Sequence, residues 1–257
     1  VMRFCSLGSG SSGNSYVVQD NATTLLVDCG FGLNETVTRL ERYGINPEQL
    51  NAILLTHEHE DHVKGAFSFS NKYKVPIHLS HGTFKMCKKR INDNYDIDFN
   101  IINSTKSFMI NDIKVTPIPV PHDAREPFQF MVESNLKSMA IITDLGHITN
   151  YIIKTLKEIN ALVIEFNHDK NMLINSDYPQ SLKDRVSGIY GHLENMESIK
   201  LLESINYQGI EWIAAAHLSE KNNDEKLVKR LIADVTKKGP ESIKVIDQIN
   251  GIDWLDI

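Results

Sequence analysis

The sequence predicts an α/β fold with two β-sheets and helices on the outside. Short β-rich runs alternate along the chain with amphipathic stretches of helical spacing. Several of the β-rich runs are almost continuously apolar, as expected for strands whose sheet is covered on both faces. The chain has 257 residues, 41% of them hydrophobic, which is enough for a large core. We therefore expect residues 1–257 to form a single domain.

The strands are expected where apolar and β-branched residues run together between turn residues. The first three come in close succession, and the later ones are separated by polar or helical segments. The expected strands lie at 2–7, 16–18, 23–30, 52–57, 75–80, 113–120, 128–134, 139–144, 161–166 and 212–217.

The helices are expected where apolar residues recur three and four positions apart. The first, 35–43, has Asn34 as a possible N-cap and stops at Gly44. Further helices are expected at 150–158, 195–204 and 224–237. The polar segment 168–188 predicts a long irregular loop, and such loops in compact domains are usually functional or mobile.

Composition narrows the possible functions. A net charge of −6 argues against a protein that coats nucleic acid non-specifically. The three cysteines have no CxxC spacing, so we expect no disulfide framework and a cytoplasmic protein. No apolar run approaches the roughly 20 residues that span a bilayer, so no membrane partner is expected.

A flexible run, GSGSSGNS at residues 8–15, lies between the first two strands. An interdomain linker would follow a completed domain, so a tight loop is expected instead. Small residues would let its backbone and the hydroxyls of Ser9, Ser11 and Ser12 approach a substrate phosphate. A turn whose backbone conformation requires small residues, and which contacts no ligand, would have the same sequence. Both interpretations stay open.

The motif THEHEDH at residues 56–62 directly follows an apolar strand. Residues two apart on extended backbone point the same way, so His57 and His59 can aim two imidazoles at one metal ion. Asp61 and His62 can offer a carboxylate and an imidazole to a second ion. A charged surface run would give a similar composition, but it need not follow a buried strand.

Further ligand-type residues follow later strands. His122 comes after the run 113–120, Asp144 ends 139–144, and His217 ends 212–217. Sites in α/β sheets form at the carboxyl ends of strands, so these residues are expected to gather there.

The combination SGSSGNS, LLVDCG, THEHEDH, PHDA, TDLGH, GHL and AHLS resembles the metallo-β-lactamase fold superfamily over essentially the whole chain. Within it, the motifs look like the YycJ/WalJ-type branch, which is related to RNase Z and to phosphodiesterases. The resemblance implies a four-layer αβ/βα sandwich and a site for two divalent metal ions, for which zinc, manganese and iron are suitable.

The resemblance also implies roles for individual residues. One metal ion would be held by His57, His59 and His122, the other by Asp61, His62 and His217, with Asp144 bridging both. Asp61 could in addition accept a proton from water. His192, in GHLEN, would protonate the leaving group and be oriented by Glu165. The chain has Glu194 where the family commonly has a serine.

Supporting roles are expected for a few other residues. Asp28 would orient the metal loop by hydrogen bonds, and Asp123 would hold its neighbour His122. His168 could face the substrate cleft. Taken singly, the strand-end residues His122, Asp144 and His217 could each equally be an ordinary polar residue at the end of a strand.

The branch resemblance implies a 5′-to-3′ DNA exonuclease. RNA or a small phosphodiester as substrate, a thioester hydrolase, a dioxygenase and a regulatory metal-binding module remain alternatives. A basic patch at helical spacing and two cations in the long loop could contact DNA phosphates. These residues are Lys85, Lys88, Lys89 and Arg90, together with Lys183 and Arg185.

Overall fold

The structure is a computed structural model that describes residues 1–104 and 106–257, and of Pro240 it describes only the backbone. Contacts divide the chain into two compact units. The first unit comprises Val1–Pro119, Ala124–Leu136 and Asp247–Ile257, and the second comprises Val120–Asp123 and Lys137–Ile246. The single domain expected from the sequence stays a prediction.

The first unit contains a mixed sheet, an antiparallel group of strands and four helices among its described residues. Its strands are β1 (Arg3–Gly8), β2 (Ser15–Asp20), β3 (Thr23–Val27), β4 (Ala52–Leu54), β5 (Ile77–Ser80), β6 (Phe99–Ile102), β7 (Phe108–Ile110), β8 (Ile113–Pro119), β9 (Phe128–Ser134) and, at the C-terminal end, β14 (Ile252–Asp256). Its helices are α1 (Leu33–Arg42), α2 (Glu60–Val63), α3 (Ala66–Tyr73) and α4 (His81–Cys87).

The sheet of the first unit has the strand order β14-β1-β2-β3-β4-β5-β6. The strands from β14 to β3 pair antiparallel, and those from β3 to β6 pair parallel. Strands β7, β8 and β9 pair antiparallel in sequence. Every residue of β3 and β4 is buried, which explains why both read as unbroken apolar runs.

The second unit contains parallel strands and helices. The strands are β10 (Lys137–Ile142), β11 (Ala161–Glu165), β12 (Trp212–Ala216) and β13 (Ile243–Val245), in the order β13-β12-β11-β10. All their pairings are parallel. The helices are α5 (Asn150–Thr155), α6 (Lys170–Asn175), α7 (Gln180–Val186), α8 (Asn195–Ser204) and α9 (Glu225–Thr236).

Parallel pairing brings the ends of successive strands to one edge within each unit. In the first unit, Asp28 follows β3, and THEHEDH follows β4 after one residue. In the second unit, Asp144 follows β10, Glu165 ends β11 and His217 follows β12. Each unit therefore carries its metal-ligand types at the carboxyl edge of its parallel strands, where α/β sites form.

Two expectations about helices were wrong. Helix α1 begins at Leu33 with Gly32 as its N-cap, so Asn34 is inside the helix and does not cap it. The segment 168–188 is not an irregular loop, because it contains α6 and α7. Asp169 caps α6 by accepting a hydrogen bond from the Met172 amide, which is a start signal that the polar composition hid. None of the described helices is both long and apolar enough to span a membrane.

Gly30 lets the metal loop pack against the chain that follows β3. A Cβ built on Gly30 would lie 1.8 Å from the Asp61 carbonyl oxygen. The Cys29 amide donates to the His62 carbonyl, and the Asn14 amide donates to the Asp61 carbonyl, so the backbone there is fixed on two sides. Only glycine fits at this close approach.

We predict that Gly30→Ala lowers the free energy of unfolding by about 1–3 kcal/mol, because the added methyl group must displace backbone. Denaturant titration measures the change. Gly32→Ala is the matched control, since a Cβ at Gly32 meets nothing within 4 Å. Equal stability of the two variants would show that the close packing at Gly30 is not required.

Candidate metal centre

His57 and His59 lie after β4 and have their rings close together. The Nε2 atom of His57 is 3.0 Å from the Nδ1 atom of His59, and the ring centroids are 4.5 Å apart. His57 is fully buried, and His59 has extended backbone as the N-cap of α2. The two imidazoles are thus on one side of the loop, as the alternation of extended backbone requires, and could bind one ion.

Asp61 and His62 belong to the short helix α2. The Oδ2 atom of Asp61 lies 3.4 Å from the Nε2 atom of His62. His62 is fully buried and its ring centroid is 4.0 Å from that of His57. The first unit therefore brings the four predicted ligands of THEHEDH into one cluster.

Asp28 forms hydrogen bonds to this cluster. Its Oδ2 accepts a hydrogen bond from His62 Nδ1 at 2.7 Å, and its Oδ1 accepts one from the Thr56 amide at 2.9 Å. Burial is the largest influence and raises the pKa of Asp28, while His62 and the hydrogen bonds of Thr56 act in the opposite direction. Asp28 thus forms hydrogen bonds to the loop that carries THEHEDH, and its role in orienting metal ligands stays a prediction.

Asn14 is a residue that sequence reasoning missed. Its Nδ2 donates to Asp61 Oδ2 at 3.1 Å and lies 3.2 Å from His62 Nε2. Its Oδ1 accepts a hydrogen bond from the Gly10 amide. The loop 8–15 therefore positions the side chain of Asp61 through Asn14, and the asparagine among glycines and serines was the available signal.

The same loop uses one of its serines internally. Ser9 is buried, and its hydroxyl lies within hydrogen-bond distance of Asn14 Oδ1 and of the Tyr16 hydroxyl. Ser11 and Ser12 are exposed. Of the three serines expected to approach a substrate, only these two have hydroxyls on the surface.

Glu58 is a second residue that sequence reasoning missed. It is buried, and its Oε1 accepts a hydrogen bond from the Arg125 amide at 2.7 Å. The guanidinium of Arg90 donates to the Glu58 carbonyl at 3.0 Å. Glu58 thus anchors THEHEDH to the rest of the first unit, while its neighbours His57 and His59 carry the ligand atoms.

The second unit gathers four ligand-type side chains. Ligand atoms of all four lie within 4.8 Å of one another, and they belong to Asp144, Glu165, His192 and His217. Asp144 Oδ1 lies 3.2 Å from His217 Nδ1 and 3.5 Å from His192 Nδ1. The rings of His192 and His217 have centroids 5.1 Å apart.

The carboxylate of Glu165 organises this cluster. Its Oε1 accepts hydrogen bonds from His192 Nδ1 at 2.8 Å and from His217 Nδ1 at 3.0 Å. Its Oε2 accepts from the amides of Leu145 and Leu193, both at 3.1 Å. Each carboxylate oxygen therefore accepts two hydrogen bonds, and these satisfy a side chain that is completely buried.

Glu165 remains ionised in this environment. Burial is the largest single influence on its pKa and favours the neutral acid, but the charges and hydrogen bonds of His192 and His217 outweigh it. Together they lower the pKa of Glu165 well below its usual range. An ionised carboxylate can only accept hydrogen bonds, so both imidazoles carry a proton on Nδ1.

His122 lies near this cluster, with its ring centroid 5.3 Å from that of His192. Its Nδ1 donates to the Gly191 carbonyl at 3.1 Å, and its Nε2 is 3.3 Å from Asp123 Oδ1. Asp123 also accepts a hydrogen bond from Arg185 Nε at 2.7 Å. His122 is therefore held through Nδ1 by the Gly191 carbonyl, and the supporting role expected for Asp123 stays a prediction.

Three of the strand-end residues have left-handed backbone, which sequence reasoning did not anticipate. The φ angles are 59° for Asp28, 52° for Asp144 and 56° for His217. Non-glycine residues adopt this region at a cost, and such residues cluster at functional sites. Both units thus use sharp left-handed turns to end the strands that carry the predicted site.

A cavity of about 490 Å³ lies in the second unit beside His192. His168 also lines it and is buried, with its Nδ1 3.2 Å from Asn167 Oδ1. Burial lowers the pKa of His168 to about 4, so its imidazole is neutral at neutral pH. His168 therefore lines a cavity, and its role in substrate binding stays a prediction.

The basic residues divide into two groups. Lys183 Nζ donates to the carbonyls of Ile174 and Ser176 at 2.7 and 2.8 Å, and Arg185 bonds to Asp123. These two cations, like Arg90, have partners within the protein. The second group is Lys85, Lys88 and Lys89, which are exposed and lie at the end of α4 and in the helical turn after it.

The donor atoms fit divalent metal ions. In His62 and His217, Nδ1 donates to a buried carboxylate, and in His122 it donates to a backbone carbonyl. This arrangement fixes the ring and places the lone pair on Nε2, as in histidines that bind metal. The residues present are therefore suited to zinc or a similar ion.

The chain matches a family model and a characterised relative over most of its length. Residues 23–210 match the model described as Beta-lactamase superfamily domain. The chain is 32% identical over 240 residues to "Exodeoxyribonuclease YycJ" from Bacillus anthracis, covering 92% of this chain and 90% of the relative.

Two solved structures share the fold. The metallo-β-lactamase fold protein YhfI from Bacillus subtilis superposes with a TM-score of 0.74 at 15% identity, covering 100% of both chains. Zn²⁺-bound PqqB from Methylobacterium extorquens has the same TM-score and coverage at 17% identity. The predicted fold class is confirmed as an α/β sandwich of mixed sheets flanked by helices. The chain belongs to the β-lactamase superfamily of metallo-β-lactamase fold hydrolases.

Proposed function

We propose that the protein is a metal-dependent phosphodiester hydrolase and that it degrades DNA in the 5′-to-3′ direction. The observation that carries the proposal is the buried Glu165 carboxylate, which accepts hydrogen bonds from both His192 and His217. One carboxylate thereby orients a proton donor beside a residue suited to bind metal. The similarity to a relative named as an exodeoxyribonuclease supports DNA as the substrate.

The proposed ligands are those that the family resemblance implies. His57, His59 and His122 would hold one ion, and Asp61, His62 and His217 would hold the other, with Asp144 bridging. The short distance between the His57 and His59 nitrogens supports their share in one site. The Glu165 contact to His217 and the Asp28 contact to His62 support the same tautomer for both rings.

Two divalent ions bound there would lower the pKa of water and stabilise the charge on the phosphoryl oxygens. The protein's own residues supply orientation and proton transfer. Asn14 fixes the Asp61 carboxylate, which can accept a proton from the attacking water. When the P–O bond breaks, the leaving oxygen takes a proton from His192, and Glu165 keeps that imidazole in place.

Glu165 also explains why His192 suits the role of an acid. The hydrogen bond from Nδ1 to the Glu165 carboxylate fixes the ring, so Nε2 is the nitrogen that can transfer a proton to the leaving group. His168 lacks such a partner among the described carboxylates and is held neutral by burial. We therefore assign His192, and not His168, as the proton donor.

RNA and small phosphodiesters remain alternative substrates. Thioester hydrolysis is the alternative reaction. End-labelled single- and double-stranded DNA and RNA, incubated with Mn²⁺ or Zn²⁺, separate the nucleic-acid alternatives by product length and polarity. Bis-p-nitrophenyl phosphate and a thioester panel test the chemistry itself. Hydrolysis of thioesters without any phosphodiester cleavage would overturn the proposal.

We predict about two metal equivalents per chain after purification without chelator, as for two-metal hydrolases. His59→Ala should remove about one equivalent, while the exposed His81→Ala should remove none. Elemental analysis gives the stoichiometry, and chelation should also lower the melting temperature because bound ions stabilise the folded state. A wild-type protein that binds no metal would contradict the ligand assignment.

We predict that His192→Ala slows DNA cleavage by roughly 10²- to 10⁴-fold, the range for a lost general acid. The metal content should stay unchanged. The loss should be much smaller with p-nitrophenolate as the leaving group, since that group needs no proton. Steady-state kinetics on both substrates, with His81→Ala as control, make the comparison, and equal losses would exclude the leaving-group role.

We predict that Lys88→Ala weakens DNA binding about equally across sequences and lowers the slope of log affinity against log salt by about one unit. Turnover of bis-p-nitrophenyl phosphate should not change. Lys226→Ala, an exposed lysine at the start of α9, is the matched control. Salt slopes that are the same in both variants and in the wild type would mean that DNA does not contact this patch.

A further inference from the structure

The segment that leads from α7 to His192 is held by three successive carbonyl groups. The Ile189 oxygen lies 2.8 Å from His147 Nδ1, the Tyr190 oxygen accepts from the Asp123 amide at 3.0 Å, and the Gly191 oxygen accepts from His122 Nδ1 at 3.1 Å. This backbone is therefore fixed against the residues around the proposed active site.

Close packing restricts the same segment further. A Cβ on Gly191 would lie 2.2 Å from the Arg185 oxygen, and a Cβ on Gly146 would lie 2.3 Å from Ile189 backbone atoms. The His192 amide also donates to the Val186 carbonyl at 2.8 Å. Backbone with so many contacts on both sides has little freedom to move.

Two large side chains on this fixed backbone nevertheless face solvent. Ile189 is 66% exposed and Tyr190 is 55% exposed, and Tyr190 is only two residues from the proposed acid, His192. These side chains add little to the packing of the second unit. An aromatic ring presented on rigid backbone is the arrangement that proteins use to stack a nucleobase.

The neighbouring cavity has a suitable size and charge for a nucleoside. Ser187 and His192, which bracket the segment, both line it, and its volume of about 490 Å³ is in the range of small-ligand sites. The lining has three carboxylates, Asp184, Glu194 and Glu197, and two lysines, Lys170 and Lys183, of which Lys183 is already bonded to carbonyls. The lining therefore favours the uncharged base and sugar over a phosphate.

We propose that Tyr190 stacks on the base of the nucleotide that leaves, whose oxygen receives the proton from His192. The proposal rests on the proposed function. It makes Tyr190 a substrate-binding residue and assigns the adjacent cavity to the nucleoside of the leaving group. The ligand class is a nucleobase, and stacking predicts little preference among the four bases.

The test uses dinucleotides with one phosphodiester bond, in which the base is removed from either nucleotide in turn. With both bases present, Tyr190→Ala should lower kcat/KM about 5- to 150-fold, the range that corresponds to 1–3 kcal/mol per stacked base. The loss should vanish when the base of the leaving nucleotide is absent. It should persist when only the other base is absent.

Tyr190→Phe should retain activity, because stacking needs the ring and not the hydroxyl. Tyr151→Ala on α5, where the side chain is similarly exposed at 49%, is the matched control and should have no effect. An equal loss on the abasic dinucleotides would overturn stacking and show that Tyr190 only supports the backbone.

The experiment distinguishes a failure of the stacking proposal from a failure of the proposed function. If the wild type cleaves the dinucleotide and Tyr190→Ala is as active as the wild type, the stacking proposal is wrong and the proposed function stands. If the wild type with metal cleaves no dinucleotide or oligonucleotide, the proposed function is wrong, and the stacking proposal falls with it.

Discussion

The arrangement of the second unit depends on one buried carboxylate. Glu165 ends β11 and has no contact with solvent, so each of its lone pairs must find a donor within the protein. Two imidazoles and two backbone amides supply these donors. Replacing the carboxylate would remove one shared acceptor from all four donors, which is why its position constrains the ends of β10, β11 and β12 together.

Asp28 has the same function in the first unit with a smaller set of donors. It joins His62 to Thr56, so the loop after β4 is tied to the end of β3. Both units thus place a buried acid behind a histidine and leave the opposite ring nitrogen for a metal. The repetition is a consequence of chemistry, because a hydrogen bond from an imidazole to a carboxylate oxygen fixes the ring in one tautomer and one orientation.

The sequence was informative wherever a buried strand ended in a polar residue. Apolar runs located β3, β4, β11 and β12, and ligand-type residues at their ends located the proposed site. Local sequence was less informative about contacts between distant segments. An asparagine stands out in the loop 8–15, but the local sequence does not predict that its side-chain amide reaches Asp61, forty-seven residues away. The left-handed φ angles of Asp144 and His217 depend equally on tertiary packing, since neither residue type requires that conformation.

The polar composition of 168–188 concealed α6 and α7 for a related reason. These two short helices are stabilised by contacts such as the one from Lys183 to the end of α6.

The segment that follows, 188–191, has a consequence for evolution. Surface connections usually accept insertions and deletions. Here three adjacent carbonyls each bond to a different partner, so one extra residue would shift all three out of register. The length of this connection is therefore as constrained as that of a strand inside a sheet.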